Sequence, residues 1–179
     1  MAALVAAAAF LMPVAAEAQT QATAAYSQDE LDQLLAPIAL YPDQLLTQVL
    51  IASTYPLEVV EAARFVQENA QLTGEALDNA LAERNWDPSV QSLAAFPQVL
   101  AMMNDKLEWT QRLGDAFLAD EQRVMDTVQS LRRRAEAAGN LGPSPQQTVV
   151  DQGGEIVIQP VEQALNGLCF DLDDFPGMT

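Results

Sequence analysis

The chain has 179 residues, 50% of them apolar, and this length suits one domain with a sizeable core. Asp and Glu number 25 against 8 Lys and Arg, which gives a formal net charge of −17 at pH 7. A surface this acidic repels phosphate backbones and anionic lipid, so nucleic acid is excluded as an expected partner. There is no histidine, so the commonest general base and the commonest transition-metal ligand are both missing.

The first 18 residues, MAALVAAAAFLMPVAAEA, form an apolar run that ends in the small residues Ala16 and Ala18. This pattern is typical of a signal peptide, so we expect cleavage before Gln19 and export of the mature chain. The apolar run, about 15 residues, is short for a membrane-spanning helix. No Lys or Arg precedes it, so we expect the complete signal to begin further upstream. Residues 19–26 are interpreted as a flexible leader.

Three aromatic–proline pairs each precede an apolar run with helical spacing: Tyr41-Pro42, Tyr55-Pro56 and Phe96-Pro97. Proline has a preset φ and no N–H, so it suits the first position of a helix and disfavours helix in the residue before it. Each pair therefore predicts a helix start within two residues of the proline. The aromatic residue is expected to pack back on its helix, so we interpret the pairs as structural.

Other polar residues also predict helix starts. Ser27 and Glu30 have the spacing of a capping box, and Asp87 stands before Pro88 as a capping residue. Thr73 is expected to cap a further helix over residues 74–83. We therefore predict a mainly α domain over residues 27–142, with its helices in an orthogonal or bundle-like arrangement.

The last helical stretch begins at Leu107, and its apolar residues recur close to a heptad spacing as far as residue 135. The pattern predicts one long C-terminal helix, or two helices separated near Gly114, because glycine weakens a helix interior. Three arginines, 132–134, stand in its last turn, where positive charge favours the helix dipole. Gly139 is placed to end the helix.

Residues 143–160 are interpreted as a linker followed by a short β segment near 155–159, whose residues EIVIQ are rich in β-branched side chains and precede Pro160. Residues 161–179 show no periodicity, are acidic and are expected not to pack. They contain the single cysteine, Cys169, which cannot close an internal disulfide. The fold is therefore expected to depend on its apolar core.

Without histidine, no serine or cysteine catalytic triad can form, and no nucleotide-binding or hydrolase motif is present. Paired carboxylates could in principle hydrolyse glycosides, and the candidates are Asp43, Glu58, Glu61 and Asp115. Acidic residues at helix starts are also ordinary helix stabilisers. The DLDD sequence of the tail lacks the glycine and glutamate of a calcium loop. We therefore assign no catalytic, cofactor-binding or metal-binding residue.

Four aromatic residues are the candidates for contact with a partner: Tyr41, Tyr55, Trp86 and Trp109. Both tryptophans have a carboxylate beside them in the sequence, and an aromatic ring with polar neighbours can face a glycan or a peptide. The alternative interpretation places these rings in or at the edge of the core between helices.

The order of motifs resembles that of DUF3300, a family of exported bacterial proteins. The resemblance rests on PIALYPD, then WDPSV, then WTQRLGDAF, then AGNL, and covers about residues 28–160. It implies a signal peptide, a largely helical domain and a periplasmic or outer-membrane location in a Gram-negative bacterium. It implies no catalytic residue or cofactor. In similar proteins a V-Y-V-P-type strand follows the segment like residues 156–160. Here VEQALNGLCFDLDDFPGMT follows instead, so we expect residues 161–179 to be atypical of the family.

We therefore expect an exported helical module that binds or scaffolds an envelope protein or glycan without catalysing a reaction. One alternative is a carboxylate-dependent enzyme acting on an envelope polysaccharide such as peptidoglycan. Another is a structural unit that self-associates through residues 107–135. The identity of the ligand and the oligomeric state do not follow from the sequence.

Overall fold

The computed structural model describes residues 26–161. These residues form eight helices and a β-hairpin: α1 (Gln28–Leu35), α2 (Asp43–Ala52), α3 (Pro56–Glu68), α4 (Glu75–Ala82), α5 (Pro88–Leu93), α6 (Pro97–Asp105), α7 (Leu107–Ala119), α8 (Glu121–Ala137), β1 (Gln147–Gln152) and β2 (Glu155–Pro160). The predicted mainly α class is confirmed. The predicted signal peptide lies outside the described residues, as do residues 19–25 of the leader and residues 162–179 of the tail.

The helix starts predicted from the aromatic–proline pairs are confirmed. Pro42 immediately precedes α2, while Pro56 and Pro97 are the first residues of α3 and α6. The residues before the last two prolines have φ near −120°, outside the helical region, because the proline ring disfavours helix there. Each pair thus ends one element and begins the next.

Two of the three predicted caps are present. Ser27 and Glu30 form the reciprocal capping box of α1, and the Asp87 carboxylate accepts a hydrogen bond from the Ser89 N–H at 2.9 Å. The third was wrong: Gly74, not Thr73, is the capping residue of α4. Gly74 has a φ of 54°, a conformation that favours glycine, so the chain enters α4 through backbone geometry rather than a side-chain cap.

One apolar core joins the helices. Helix α2 packs against α5 and α7, α3 packs against α6, and α1 packs against α8. The fully buried side chains at its centre include Leu35, Ile38, Tyr41, Leu46, Val49, Leu50, Leu93, Leu100, Met103 and Leu113. Most are leucine, valine or isoleucine at helical spacing, as the sequence indicates.

The predicted break near Gly114 lies elsewhere. Helix α7 continues through Gly114, and the chain breaks at Asp120, whose carboxylate accepts from the Arg123 N–H at 3.0 Å and caps α8. Gly114 is instead a point of close approach. A Cβ atom there would stand 2.3 Å from the Ser53 carbonyl oxygen, so only glycine lets α7 pass the junction between α2 and α3.

The apolar positions of α7 and α8 face the interior of the same chain. Leu113, Ala116, Val124 and Val128 are all buried. Self-association through residues 107–135 stays a prediction, but this buried stripe is already covered by the chain's own helices. Within residues 26–161, no helix is long and apolar enough to cross a membrane.

The segment after α8 contains two strands, whereas the sequence predicts one. β1 pairs antiparallel with β2, with Val150 opposite Val157. The connecting residues Gly153 and Gly154 have φ values of 70° and 96°, as a two-residue hairpin turn requires. Interpreting β1 as linker was therefore wrong. The pairing continues past Pro160, because the Val161 N–H donates to the Gln146 carbonyl at 3.0 Å.

Candidate functional site

A groove lies between α2, the junction of α5 with α6, and the end of β2. Its volume is about 130 Å³, and its lining consists of Pro42, Gln44, Leu45, Gln48, Ser92, Phe96 and Pro160. None of these side chains is ionisable, although the whole chain carries a net charge of −17. The groove is smaller than the roughly 300 Å³ at which small-molecule pockets begin, so it suits an inserted side chain better than a cofactor.

Helix starts position most of the groove. Pro42 and Phe96 stand at the entrances to α2 and α6, while Gln44 and Gln48 lie one turn apart on α2. The two glutamines and Ser92 are not among the residues predicted to contact a partner. Polar residues on helix surfaces are ordinary, so no local signal marks them, and the groove depends on Pro160 being brought to α2 from the far end of the domain.

A buried arginine, Arg132, holds the hairpin against α2. The Arg132 side chain is 1% exposed. Its Nε donates to the Ala39 carbonyl at 2.8 Å and its Nη2 to the Tyr41 carbonyl at 3.0 Å. Its Nη1 donates to the Ile156 carbonyl at 2.8 Å and forms an ion pair with the Asp43 carboxylate. One guanidinium thus joins α8, the turn before α2, α2 itself and β2.

This arrangement corrects the interpretation of the arginine triplet for Arg132 and Arg133, while Arg134 does stand in the last turn of α8 as predicted. Helix α8 runs on to Ala137, so Arg132 lies inside it and acts through buried hydrogen bonds rather than the helix dipole. Arg133 is exposed, and Arg134 forms a surface ion pair with Asp32.

Further bonds close the edge of β2 that faces the helices. Gln129 accepts from the Ile156 N–H at 2.9 Å and donates to the Ile156 carbonyl at 3.2 Å. Asp43 accepts from the Ile158 N–H at 3.3 Å with its second oxygen. Asp43 is the neighbour of both Pro42 and Gln44, so the same carboxylate anchors the strand and one wall of the groove.

A second cluster surrounds Trp86, which is 8% exposed. Its Nε1 donates to Glu61 at 3.0 Å, and the N–H of Asp87 donates to Glu58 at 2.6 Å. Hydrogen bonds from the Ser89 hydroxyl and backbone, and from the Tyr55 hydroxyl, lower the pKa of Asp87 below its ordinary value, against a smaller opposing effect of burial. The two glutamates therefore hold the chain segment before α5 against α3.

An aromatic contact completes this cluster. The Phe65 and Trp86 rings meet edge to face, with centroids 5.8 Å apart, and the Arg84 guanidinium lies 4.5 Å from the Phe65 ring centroid. Edge-to-face packing and a cation above an aromatic ring both stabilise such a contact. Glu61, Asp87 and Arg84, which surround Trp86, thus all have partners within the chain.

The four aromatic candidates differ in their surroundings. The Tyr55 hydroxyl donates to Asp87, the residue after Trp86, and Tyr55 remains 40% exposed. Tyr41 is 1% exposed, and burial raises its pKa to about 12. Trp109 is half-buried and donates to the Leu34 carbonyl at 2.9 Å. A partner-binding role for these residues stays a prediction, and of the four Tyr55 offers the most accessible surface.

The candidate carboxylates do not form one group. Asp43 is bound by Arg132, Glu58 and Glu61 hold the residues before α5, and Asp115 is exposed on α7. Among residues 26–161, no three Asp, Glu, His or Cys side chains are grouped so that they could hold a metal ion.

Comparison with known proteins supports the resemblance in the motifs. The family model described as a protein of unknown function, DUF3300, matches residues 27–165. A curated relative, the uncharacterized protein YacH of Escherichia coli (strain K12), is 47% identical over 141 residues, which is 79% of this chain. The chain spans 22% of that relative's length. No solved structure matches this chain. From the extent of the family match, the chain belongs to the DUF3300 family.

Proposed function

We propose that the protein is an exported helical module that binds a protein partner in the bacterial cell envelope and catalyses no reaction. The observation that carries the proposal is the uncharged, largely apolar groove in a chain of net charge −17. A lining without ionisable groups favours an uncharged occupant, because burying an unpaired charge there would be unfavourable. The proposed occupant is an extended polypeptide segment that inserts an apolar side chain.

The lining has groups for both parts of such a segment. Leu45, Phe96 and Pro160 provide apolar surface for the inserted side chain. Gln44 and Gln48 carry amides that can donate to or accept from the backbone of an extended segment. Because Arg132 and Asp43 fix β2 against α2, the groove exists before a partner arrives, and little ordering is needed on binding.

The alternative of a polysaccharide-cleaving enzyme receives less support. Three of its four candidate carboxylates hold parts of the chain together, and none of the four lines the groove. A glycan partner is a separate outcome of the experiment below.

The test uses a photo-reactive amino acid at Gln48 of the exported chain, with cross-linking in intact cells and identification of the captured protein. We expect a discrete product whose yield falls at least about tenfold with Gln44→Lys, since a charge at the rim disfavours an apolar segment. The matched control is Gln122→Lys, an exposed glutamine on α8 outside the groove, which should leave the yield unchanged.

Equal yields from all three proteins would overturn the groove as the contact. Binding to isolated peptidoglycan sacculi or to lipid vesicles that Gln44→Lys abolishes, with no protein captured, would replace the protein partner with a glycan or lipid.

Export is tested separately. With a complete signal supplied, N-terminal sequencing of the periplasmic form should begin at Gln19, after the A-x-A pattern at residues 16–18. A membrane-bound protein that keeps residues 1–18 would overturn cleavage and favour an anchor.

A further inference from the structure

The two edges of the hairpin differ. On β2, the N–H and C=O groups of Ile156 and the N–H of Ile158 point away from β1 and are taken by Gln129, Arg132 and Asp43. In an antiparallel pair, a residue opposite one whose N–H and C=O point away from the partner strand also points its own N–H and C=O away, toward the other edge of the hairpin. Ile156 and Ile158 stand opposite Asp151 and Val149.

The backbone groups of Val149 and Asp151 therefore face out from the free edge of β1. Within residues 26–161 no hydrogen bond reaches them. Two residues before Val149, the edge is closed by Ser144. The Gln147 carbonyl accepts from the Ser144 N–H at 2.9 Å, and the Gln147 N–H donates to the Ser144 hydroxyl at 3.1 Å. The open part of the edge is thus short and centred on Val150, whose side chain is 37% exposed.

An open edge of this kind is a template for another strand. The hairpin is held against α2 and α8 by Arg132, so β1 is presented in its extended conformation before pairing.

We infer that the free edge of β1 pairs with the same edge of a second copy of this chain, antiparallel about a twofold axis through Val150. In this register Val149 stands opposite Asp151 of the other copy, and all the open backbone groups find partners. The two Val150 side chains meet across the axis, and Thr148 faces Gln152. No charged side chain stands opposite a like charge.

Other registers fit less well. Centring the pair on Asp151 would place two carboxylates directly opposite each other, which destabilises a strand pair. Centring it on Val149 would require the backbone groups of Gln147, which Ser144 already occupies. The edge is therefore self-complementary in one register, and this favours a second copy over an unrelated strand.

The net charge of −17 on each copy opposes this contact through long-range repulsion, which salt screens. We expect sedimentation equilibrium of the full chain to show a monomer–dimer equilibrium that strengthens as NaCl rises from about 50 to about 500 mM. An acidic edge that instead recruited a basic peptide would show the opposite salt dependence.

The test variant is Val150→Lys, which places two ammonium groups on the axis. It should weaken the association constant at least about tenfold, even though it lowers the net negative charge. The matched control is Val157→Lys: Val157 is the cross-strand neighbour of Val150 on β2, away from the free edge. It should change the constant less than about threefold.

A second measurement locates the contact. With Cys169→Ser removing the native thiol, Val150→Cys should form a disulfide-linked dimer under mild oxidation, because the two Cβ atoms of such a pair lie about 5 Å apart. Val157→Cys should not, because its copies would be three strand spacings, about 14 Å, apart. A wild-type chain that stays monomeric at high salt overturns the inference, as does association that Val150→Lys leaves unchanged.

Discussion

The helical part of the molecule and its hairpin are held by different forces. The helices share one large apolar core with members from every helix between α1 and α8, and burial of apolar surface stabilises it without directional contacts. The hairpin has a small cluster of its own, in which the buried residues are Leu141, Ile156 and Ile158. Its attachment relies on hydrogen bonds that Arg132 and Gln129 donate and that Gln129 and Asp43 accept.

This difference predicts how each part responds to substitution. Apolar packing is spread over many side chains, so the helical core tolerates most single changes that keep volume. The hairpin depends on few polar contacts in a buried place, where losing one partner leaves the others unsatisfied. Substitutions in the two regions should therefore differ in both size and character.

The largest expected effect is at Arg132. Replacement by Met keeps much of the side-chain volume but leaves the carbonyls of Ala39, Tyr41 and Ile156 without this donor. We expect a loss of about 3 kcal/mol in the free energy of unfolding, measured by denaturant titration. Hydrogen exchange should show the hairpin amides losing protection before those of α2.

The matched control is Arg133→Met, at an exposed position on the same helix. It should change the free energy of unfolding by no more than about 0.5 kcal/mol. Equal effects of the two substitutions would show that the hairpin does not depend on the buried guanidinium.

The helical core has one position, Gly114, at which even a small substitution should be destabilising. Gly114→Ala places a Cβ atom 2.3 Å from the Ser53 carbonyl oxygen, which is backbone and has little room to move. Although alanine favours helix, we expect a net loss of about 2 kcal/mol from this overpacking. Gly142→Ala is the control, since nothing lies within 4 Å of the added atom. A stabilised Gly114→Ala protein would contradict the close approach of α7.

A smaller effect concerns pH at the boundary of the two regions. Burial raises the pKa of Tyr41 to about 12, above its ordinary value of 10. The folded state therefore retains the proton while the unfolded state loses it, so stability falls as pH rises from 10 to 12. Tyr41→Phe should remove up to about 2 kcal/mol of this fall.

The comparison is made by denaturant titration of both proteins at several pH values between about 8 and 12. Parallel stability curves for the two proteins over this range would show that the Tyr41 hydroxyl ionises without opposition from the fold.

The smallest effect is expected beyond the hairpin. Removing residues 162–179 should change the free energy of unfolding by no more than about 0.5 kcal/mol, because we expect this tail not to pack. Val161 is kept because it pairs with Gln146. A loss above about 2 kcal/mol would show that the tail stabilises one of the two regions.

Local features of the sequence were predictable, and contacts between distant residues were not. Pro42, Pro56 and Pro97 mark helix starts because proline geometry acts on its own neighbours. β1 had a usable signal in Gly153-Gly154 between two apolar runs, which favours a hairpin. Asp120 likewise has the residue type of a helix cap, and this cap, rather than the low helix propensity of Gly114, sets the break between α7 and α8.

The buried role of Arg132 has no local signal. Within its triplet it has the same side chain as Arg133 and Arg134, and only the docking of α8 on α1 and β2 decides which of the three is buried. The groove shares this dependence, since Pro160 reaches α2 through the same contacts. Tertiary packing, rather than propensity, determines both.

The hydrogen bonds of the Arg132 guanidinium also have a consequence for the order in which contacts form during folding. Its acceptors at Ala39 and Asp43 are 93 and 89 residues away in sequence, while Ile156 is 24 residues further along the chain. Such distant groups meet only after α1, α2 and α8 have docked, so we expect these bonds to form after the rate-limiting barrier of folding. Arg132→Met should then accelerate unfolding and leave the refolding rate nearly unchanged. The contacts of Arg132 would then determine the unfolding rate, and so the lifetime of the native state, rather than the folding rate.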